Sequence, residues 1–361
     1  MKDTVRWYPK NNYICKMIDA LHSRYIIDGV PQEINPAGIL ASVMDKVPEA
    51  QHPCGTILDE TFDPAPGRIN LDPSALEHYL KAVMGASGRL SVPFAAPSTR
   101  GRVAAALIDT MWRSGNFYLD DLHLTAKWSF DESKVGDMAA FYASVEAAAD
   151  YIDTLRLSLR RVSCETGSFD VHFATPFSGA PLLVDNTLHP DPQSWVVYLP
   201  FDTSDYHLGN SLLSQVLHLS GGLAPQVSDA DYLMDCFEVV REFAQDGILL
   251  SAATVHEGGL YAALGRMASD GIGVDADISG IMRSCGEEDP VKVLFGEVPG
   301  AVIQIRDVDF DYVDAEFLLQ DVAFFPLGHP SSDGKLHMNH SAVSGIQTIL
   351  ESLIQNAEGE D

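Results

Sequence analysis

Three short stretches hold the residues best suited to chemistry. His256 and Glu257 stand directly before Gly258 and Gly259, where the apolar run GILLSAA gives way to the helical pattern LYAALGRMA. A His–Glu pair at that junction can serve as an acid/base or ligand pair. The simpler reading is an N-terminal capping arrangement, because the helix dipole favours a carboxylate there. Gly209, Asn210 and Ser211 mark a second strand-to-helix turn, whose backbone N–H groups can cradle phosphate or another anion; the simpler reading is a tight turn. Glu297, in FGEVPG, is either a polar contact at a cleft or a turn residue. Lys127, beside Trp128, offers a cation to an anionic ligand or is a solvated strand end. Gly209, Asn210, Ser211, Gly258, Gly259, Glu297 and Lys127 are therefore the candidate nucleotide- or phosphate-binding residues. No residue stands out as catalytic, and His256 and Glu257 come nearest. His337 and His340, in HMNH, lack a third ligand, so no metal site is assigned. Cys164 has no identifiable His partner and reads as a buried thiol.

The elements that position these residues follow from periodicity. Tyr13, Ile14, Met17, Ile18 and Leu21 recur at helical spacing, and Asp72 with Pro73 starts a helix that ends near Gly85. Ser98 caps a helix bearing Val103, Ala106, Leu107, Thr110 and Met111, closed by Gly115. A strand-like run, FYLDDLHLTAKWSF, leads to an Ala-rich helix over 135–153 and to alternating runs near 155–162 and 168–174. The Pro- and Asp-rich segment PFSGAPLLVDNTLHPDPQ is the best domain boundary. Beyond it come the strand WVVYLPF, helices from Leu208, from a Ser228 cap and from Gly258, strands near Val274 and Val302 with a helix between them, and the strand VAFFPLG. A last helix, AVSGIQTILESLIQ, and an acidic tail that is expected to be disordered end the chain.

Composition narrows the function classes. With 46% hydrophobic residues the chain is globular, and its 361 residues suffice for two domains. A net charge of −28 argues against general nucleic-acid binding and against anionic membranes. The 5 cysteines are scattered and form no C-x-x-C pair, which fits a reducing compartment. The N-terminal stretch has no apolar signal core and no run is long enough to span a membrane, so a cytoplasmic location is expected.

The stretch LLSAATVHEGGLYAALGRMASDGIGVDADI, followed by VLFGEVPGAVIQI, resembles the second synthase-like half of the phosphoribosylformylglycinamidine synthase family, within the AIR synthase-like superfamily. STRGRVAAALIDTMW, LHLTAKWSF, DMAAFYASVEAAADYIDTLRLSL and VVYLPFDTSDYHLGNSLLSQVL extend the colinear resemblance over about 98–330. It implies an α+β, two-domain fold: an N-terminal barrel-forming antiparallel sheet with helices over 91–187, and a C-terminal mixed sheet with helices over 188–330. Residues 1–90 are then an N-terminal extension of unassigned role, and 331–361 a C-terminal helix and tail. The resemblance also implies a purine-biosynthesis C–N ligase using ATP with magnesium. It implies a homodimer through the first domain, with LHLTAKW as the interface strand, or an association with other purine-biosynthesis subunits.

The departures from the family are equally informative. Where the family carries Lys and Asp in a GKDS stretch, this chain has Thr166 and Gly167; where it carries His-Asp before its double glycine, this chain has Ala253 and Thr254. Its Gly-Gly turn is Gly209-Asn210 here. Lys supplies a fixed charge to phosphate and Asp a hard oxygen to magnesium, and none of these replacements can do so. Lys127 stands where bacterial relatives have Asn, while Glu297 is retained. The expectation is a degenerate homologue that binds a nucleotide, a phosphate ligand or a partner. The alternative is an active amidine synthase or one subunit of a split enzyme.

Overall fold

A computed structural model describes residues 19–64, 69, 80–115, 117–219, 221–269 and 271–339. β1 (Arg24–Ile27) and β2 (Val30–Pro31) form a hairpin, and β3 (Thr56–Asp59) joins β1 in parallel. The hairpin loop is Asp28-Gly29, with φ of 50° and 76°. Two positive φ values in a two-residue loop are what Asp-Gly accommodates.

α1 (Ala95–Met111) is the central helix, burying Val103, Ala104, Leu107, Ile108 and Met111. It starts before Ser98, the expected cap. Pro97 is tolerated because first-turn N–H groups have no helical acceptor, and the Ser98 hydroxyl accepts from Asn210 instead (2.9 Å). β4 (His123–Phe130), α2 (Asp137–Thr154), β5 (Ser158–Thr166) and β6 (Asp170–Ala174) follow. The three strands are ordered β5-β4-β6. The resemblance implied an antiparallel sheet here, but the pairing is mixed: β4 and β5 are parallel, and only β6 is antiparallel to β4. α2 carries the chain back to the starting end of the sheet, so the next strand must run alongside β4. Trp128 of β4 is fully buried, and its indole donates to Ser144 of α2 (2.9 Å). The Ser144 and Thr99 hydroxyls lie 2.7 Å apart, tying the same point to α1.

The second sheet, ordered β12-β9-β11-β7-β10-β8, contains β7 (Trp195–Pro200), β8 (Leu249–Val255), β9 (Gly273–Asp277), β10 (Gly300–Ile305), β11 (Phe325–Ser331) and β12 (Leu336–Asn339). Only β12 and β9 pair in parallel, so the sheet is mixed, as expected. One face presents Val197, Leu199, Ala301, Ile303 and Ile305 to a core shared with α1 and α2. The other presents Val196, Tyr198 and Val302 to a second core. This period-2 alternation buries both faces. Helices α3 (Leu212–Val216), α4 (Ala230–Gln245), α5 (Gly259–Met267), α6 (Ser279–Cys285), α7 (Pro290–Phe295) and α8 (Phe310–Leu319) complete the fold. Thus the architecture is α+β.

Several boundaries differ from the sequence reading. The helix expected from Leu208 begins at Leu212, because Asn210 sits at φ 59° and cannot continue one. α4 is capped by Asp229, which accepts from Tyr232 N–H; the Ser228 N–H is held by Asp202. Two helices, not one, lie between β9 and β10. The expected helix at 13–21 falls almost wholly, and the last helix, the acidic tail and His340 wholly, outside the described residues. Residues 80–85 are helical where the helix from Asp72 was expected to end. His337 lies on β12, paired with Asp333 (2.6 Å).

Asp59 gives this fold a test. Its carboxylate accepts from the N–H groups of Gly136, Met138 and Ala139 (2.7, 2.9 and 3.0 Å), capping α2 from another layer. Asp59→Ala is expected to cost about 1–2 kcal/mol, read as a lowered urea midpoint, with Asp59→Asn recovering part of it. An unchanged midpoint for Asp59→Ala would show that the cap contributes nothing.

Candidate functional site

β8 ends at Val255, and the chain then turns through His256, Glu257, Gly258 and Gly259 into α5. Gly258 and Gly259 have φ of 80° and 68°. A Cβ on Gly259 would lie 2.5 Å from the Leu294 carbonyl oxygen, so this glycine is required by space as well as by conformation. The turn is held from across the sheet by Glu297. One oxygen of that carboxylate accepts from Gly258 N–H (2.8 Å) and from Leu212 N–H at the start of α3 (2.6 Å).

The Gly209–Ser211 turn is consequently not a free anion cradle. Two of its backbone donors are engaged within the protein, Gly209 N–H on Leu223 O (2.7 Å) and Ser211 N–H on Leu208 O (3.1 Å), as is the next one, Leu212 N–H, on Glu297. Ser211 caps α3 by accepting from Ser214 N–H (3.2 Å). The Asn210 side chain accepts from the N–H and hydroxyl of Ser91 (3.1 and 2.7 Å). α3 spans 5 residues and adds little dipole.

His256 and Glu257 do not cap α5, whose N-cap is Gly258 with no side-chain bond. Glu257 reaches away from the helix, accepting from Gly88 N–H (3.3 Å) and lying 3.6 Å from Arg102. His256 packs beside α1, where a Cβ on Gly101 would come 3.0 Å from Nε2. Burial, then the nearby charges of Arg102 and Arg266, push the His256 imidazole down to about 3, so it is neutral at pH 7. Glu297 moves the other way. Burial raises it to about 7, partly offset by its two backbone donors, while Glu257 raises it further and Arg102 lowers it.

Lys127 departs from the group. It lies on β4, half-exposed, paired with Glu165 at 2.8 Å. Thr166 and Gly167 lie at the end of β5, with Gly167 N–H bonded to Phe130 O (2.9 Å). Ala253 and Thr254, by contrast, line a cleft of about 570 Å³ between α1, β6 and the end of β8. Trp112 donates its indole N–H to Thr254 (3.0 Å).

This cleft contains the residues that the sequence reading missed: Arg102, Asp109 and Arg113 along α1 and its end, with Arg266 from α5. Their signal was present as a polar stripe at 102, 109 and 113 on an otherwise apolar helix. Arg102 is tied to Asp170 and to Val171 O (2.7 Å), and Arg113 to Asp109 (3.0 Å). Arg266 is exposed and touches only the Glu257 carbonyl, at 3.3–3.4 Å, among the bonds described for it. Three guanidinium groups on one cavity suit a phosphate or carboxylate, which each can bind in a forked geometry. Among the described residues no cluster of three or more His, Cys, Asp or Glu side chains is arranged to hold a metal ion.

Glu297 yields a pH prediction. Its folded-state value lies above its ordinary 4.5, so the fold favours the protonated form. The stability from that preference is complete below about 4.5 and is lost as pH rises through about 7, by at most about 3 kcal/mol. Glu297→Gln is expected to flatten the pH dependence of the urea midpoint across that window. Matching profiles for the variant and the wild type would rule out this carboxyl as the source.

Residues 201–309 match the family described as AIR synthase related protein, C-terminal domain. Human phosphoribosylformylglycinamidine synthase is 25% identical over 228 residues, which are 61% of this chain and 16% of that protein. The chain therefore spans about a sixth of that relative's length. Among solved structures, Thermotoga maritima PurL complexed with FGAR aligns with a TM-score of 0.49 at 10% identity, covering 70% of this chain and 42% of that one. The E. coli hydrogenase maturation protein HypE aligns at 0.45 and 12% identity, covering 67% and 76%. Residues 201–309 thus carry an AIR synthase related C-terminal domain, and the chain is similar over 228 residues to phosphoribosylformylglycinamidine synthase.

Proposed function

We propose that this protein is a catalytically degenerate relative of phosphoribosylformylglycinamidine synthase, which binds an anionic, nucleotide- or phosphate-bearing ligand in the arginine-lined cleft. The observation that carries the reading is the convergence of Arg102, Arg113 and Arg266 on one cavity in a chain of net charge −28. Cations gathered against the overall charge need a local reason, and an anion supplies one. Thr166 and Gly167 lie outside the lining of this cleft, and Ala253 and Thr254 within it offer no charge to a transferring phosphoryl group. A phosphate fits the donors. Magnesium fits less well: Asp109 and Asp170, two of the nearest hard-oxygen ligands, are each paired with an arginine.

In this reading the first part, 91–187, and the second, 188–330, act as two domains with the cleft between them, in the cytoplasm. A second reading is one subunit of a split enzyme whose partner supplies the groups that Thr166, Gly167, Ala253 and Thr254 lack. A homodimer through the first sheet is also proposed. β4 cannot form it by strand pairing, because β5 and β6 occupy both its edges. Among the described residues no further strand pairs with the outer edges of β5 and β6, which are the edges proposed for it.

Two measurements test the function. The purified protein alone is expected not to form an amidine from formylglycinamide ribonucleotide, ammonia and ATP; turnover abolished by Arg266→Ala would overturn the degenerate reading. In calorimetric titrations, Arg266→Ala is expected to weaken ADP binding about tenfold or more, as loss of a charge-assisted contact should. Equal affinities would remove this cleft from consideration.

A further inference from the structure

Residues 88–91 cross the top of the site between helical residues 80–85 and the turn at Val92–Phe94. Side chains from elsewhere hold their backbone. Gly88 N–H donates to Glu257 (3.3 Å), and Gly88 O accepts from Arg102 (3.0 Å). Arg89 is gripped at both backbone groups by Gln215: its N–H donates to Oε1 (2.9 Å) and its carbonyl accepts from Nε2 (2.8 Å). The Ser91 N–H and hydroxyl both donate to Asn210 Oδ1. Leu90 is the one buried side chain in this stretch, while the Arg89 side chain is exposed.

Beneath this segment is a small cavity of about 30 Å³, lined by Gly88, Arg89, Asn210, His256, Glu257, Glu297 and others. It shares Arg102, His256 and Glu257 with the 570 Å³ cleft. The two cavities are therefore neighbours, and the segment covers the smaller one. Arg102 is the shared element. Its guanidinium serves Asp170, the Val171 and Gly88 carbonyls and, more distantly, Glu257. An anion that draws Arg102 into the larger cleft competes directly with the Gly88 carbonyl.

We propose that residues 88–91 form a releasable strap, and that an anion seated in the arginine cleft opens it and joins the two cavities. The proposal rests on the reading that the cleft takes an anion. Its physical basis is a segment fastened by a few side-chain hydrogen bonds and one apolar anchor, which places it at the low end of local stability. Because coupling between two equilibria is reciprocal, loosening the strap must tighten anion binding.

The test combines hydrogen exchange and calorimetry on the full chain, with pyrophosphate as the probe. In the wild type, pyrophosphate is expected to speed amide exchange in residues 86–92 while β8 and β10 stay protected. The double variant Asn210→Ala/Gln215→Ala is expected to exchange fast at 86–92 without ligand, and to bind pyrophosphate about five- to tenfold more tightly than the wild type. Ser91→Ala, which removes one fastening and leaves the 209–212 turn intact, should shift both readouts in the same direction and serves if the double variant does not fold. Binding by the double variant alone supports a strap that is firmly shut. Equal affinities with unchanged exchange overturn the strap but leave the anion-binding cleft standing. Binding to neither protein overturns the cleft reading and the strap's coupling with it.

Discussion

One carboxylate oxygen of Glu297 governs the geometry of the site. It receives N–H groups from Leu212 and Gly258, which lie 85 and 39 residues away in sequence, and so joins two strand-to-helix turns. The Gly258-Gly259 turn sets where β8 ends and therefore where His256, Glu257 and Thr254 face α1. The Gly209-Asn210 turn sets Asn210, which in turn fastens Ser91 and Ser98. Both turns present backbone donors that an incoming anion would otherwise take. The protein fills them with a carboxyl oxygen of its own, and binding capacity moves to side chains in the neighbouring cleft.

That exchange shapes the electrostatics. Burial drives His256 to its neutral form and Glu297 toward its protonated form, so these two groups contribute less charge than their sequence identities suggest. The cations that matter are guanidiniums, which stay charged when partly buried. Two of the three are partnered by carboxylates, Arg102 by Asp170 and Arg113 by Asp109, which orient the guanidiniums and leave Arg266 as the most open donor.

Much of the fold was legible in the sequence, and for identifiable reasons. Continuous apolar runs in WVVYLPF and GAVIQI mark strands buried on both faces, and the Gly258-Gly259 pair announces a turn that the left-handed φ values require. Asp28-Gly29 was equally legible as a hairpin loop but was passed over within an apolar run too short to attract notice. The parallel pairing of β4 and β5 departs from the antiparallel sheet that was expected, and the helix between the two strands dictates it. What local pattern could not show was contact across long separations. Nothing near Glu297 states that it caps two distant turns, and nothing near Glu257 states that it holds Gly88 instead of its own helix. The arginine stripe of α1 was readable as charge at 102, 109 and 113, but on a helix that buries an apolar face such charges ordinarily mark only the solvated side.

The central claim is that guanidinium groups, without a metal, make this cleft an anion site. The most direct measurement is a calorimetric titration of ADP into the full chain with magnesium and with a magnesium chelator. Paired carboxylates at Asp109 and Asp170 leave little for magnesium to bind, so binding is expected to persist, no weaker, when magnesium is chelated. Binding that appears only with magnesium would contradict it.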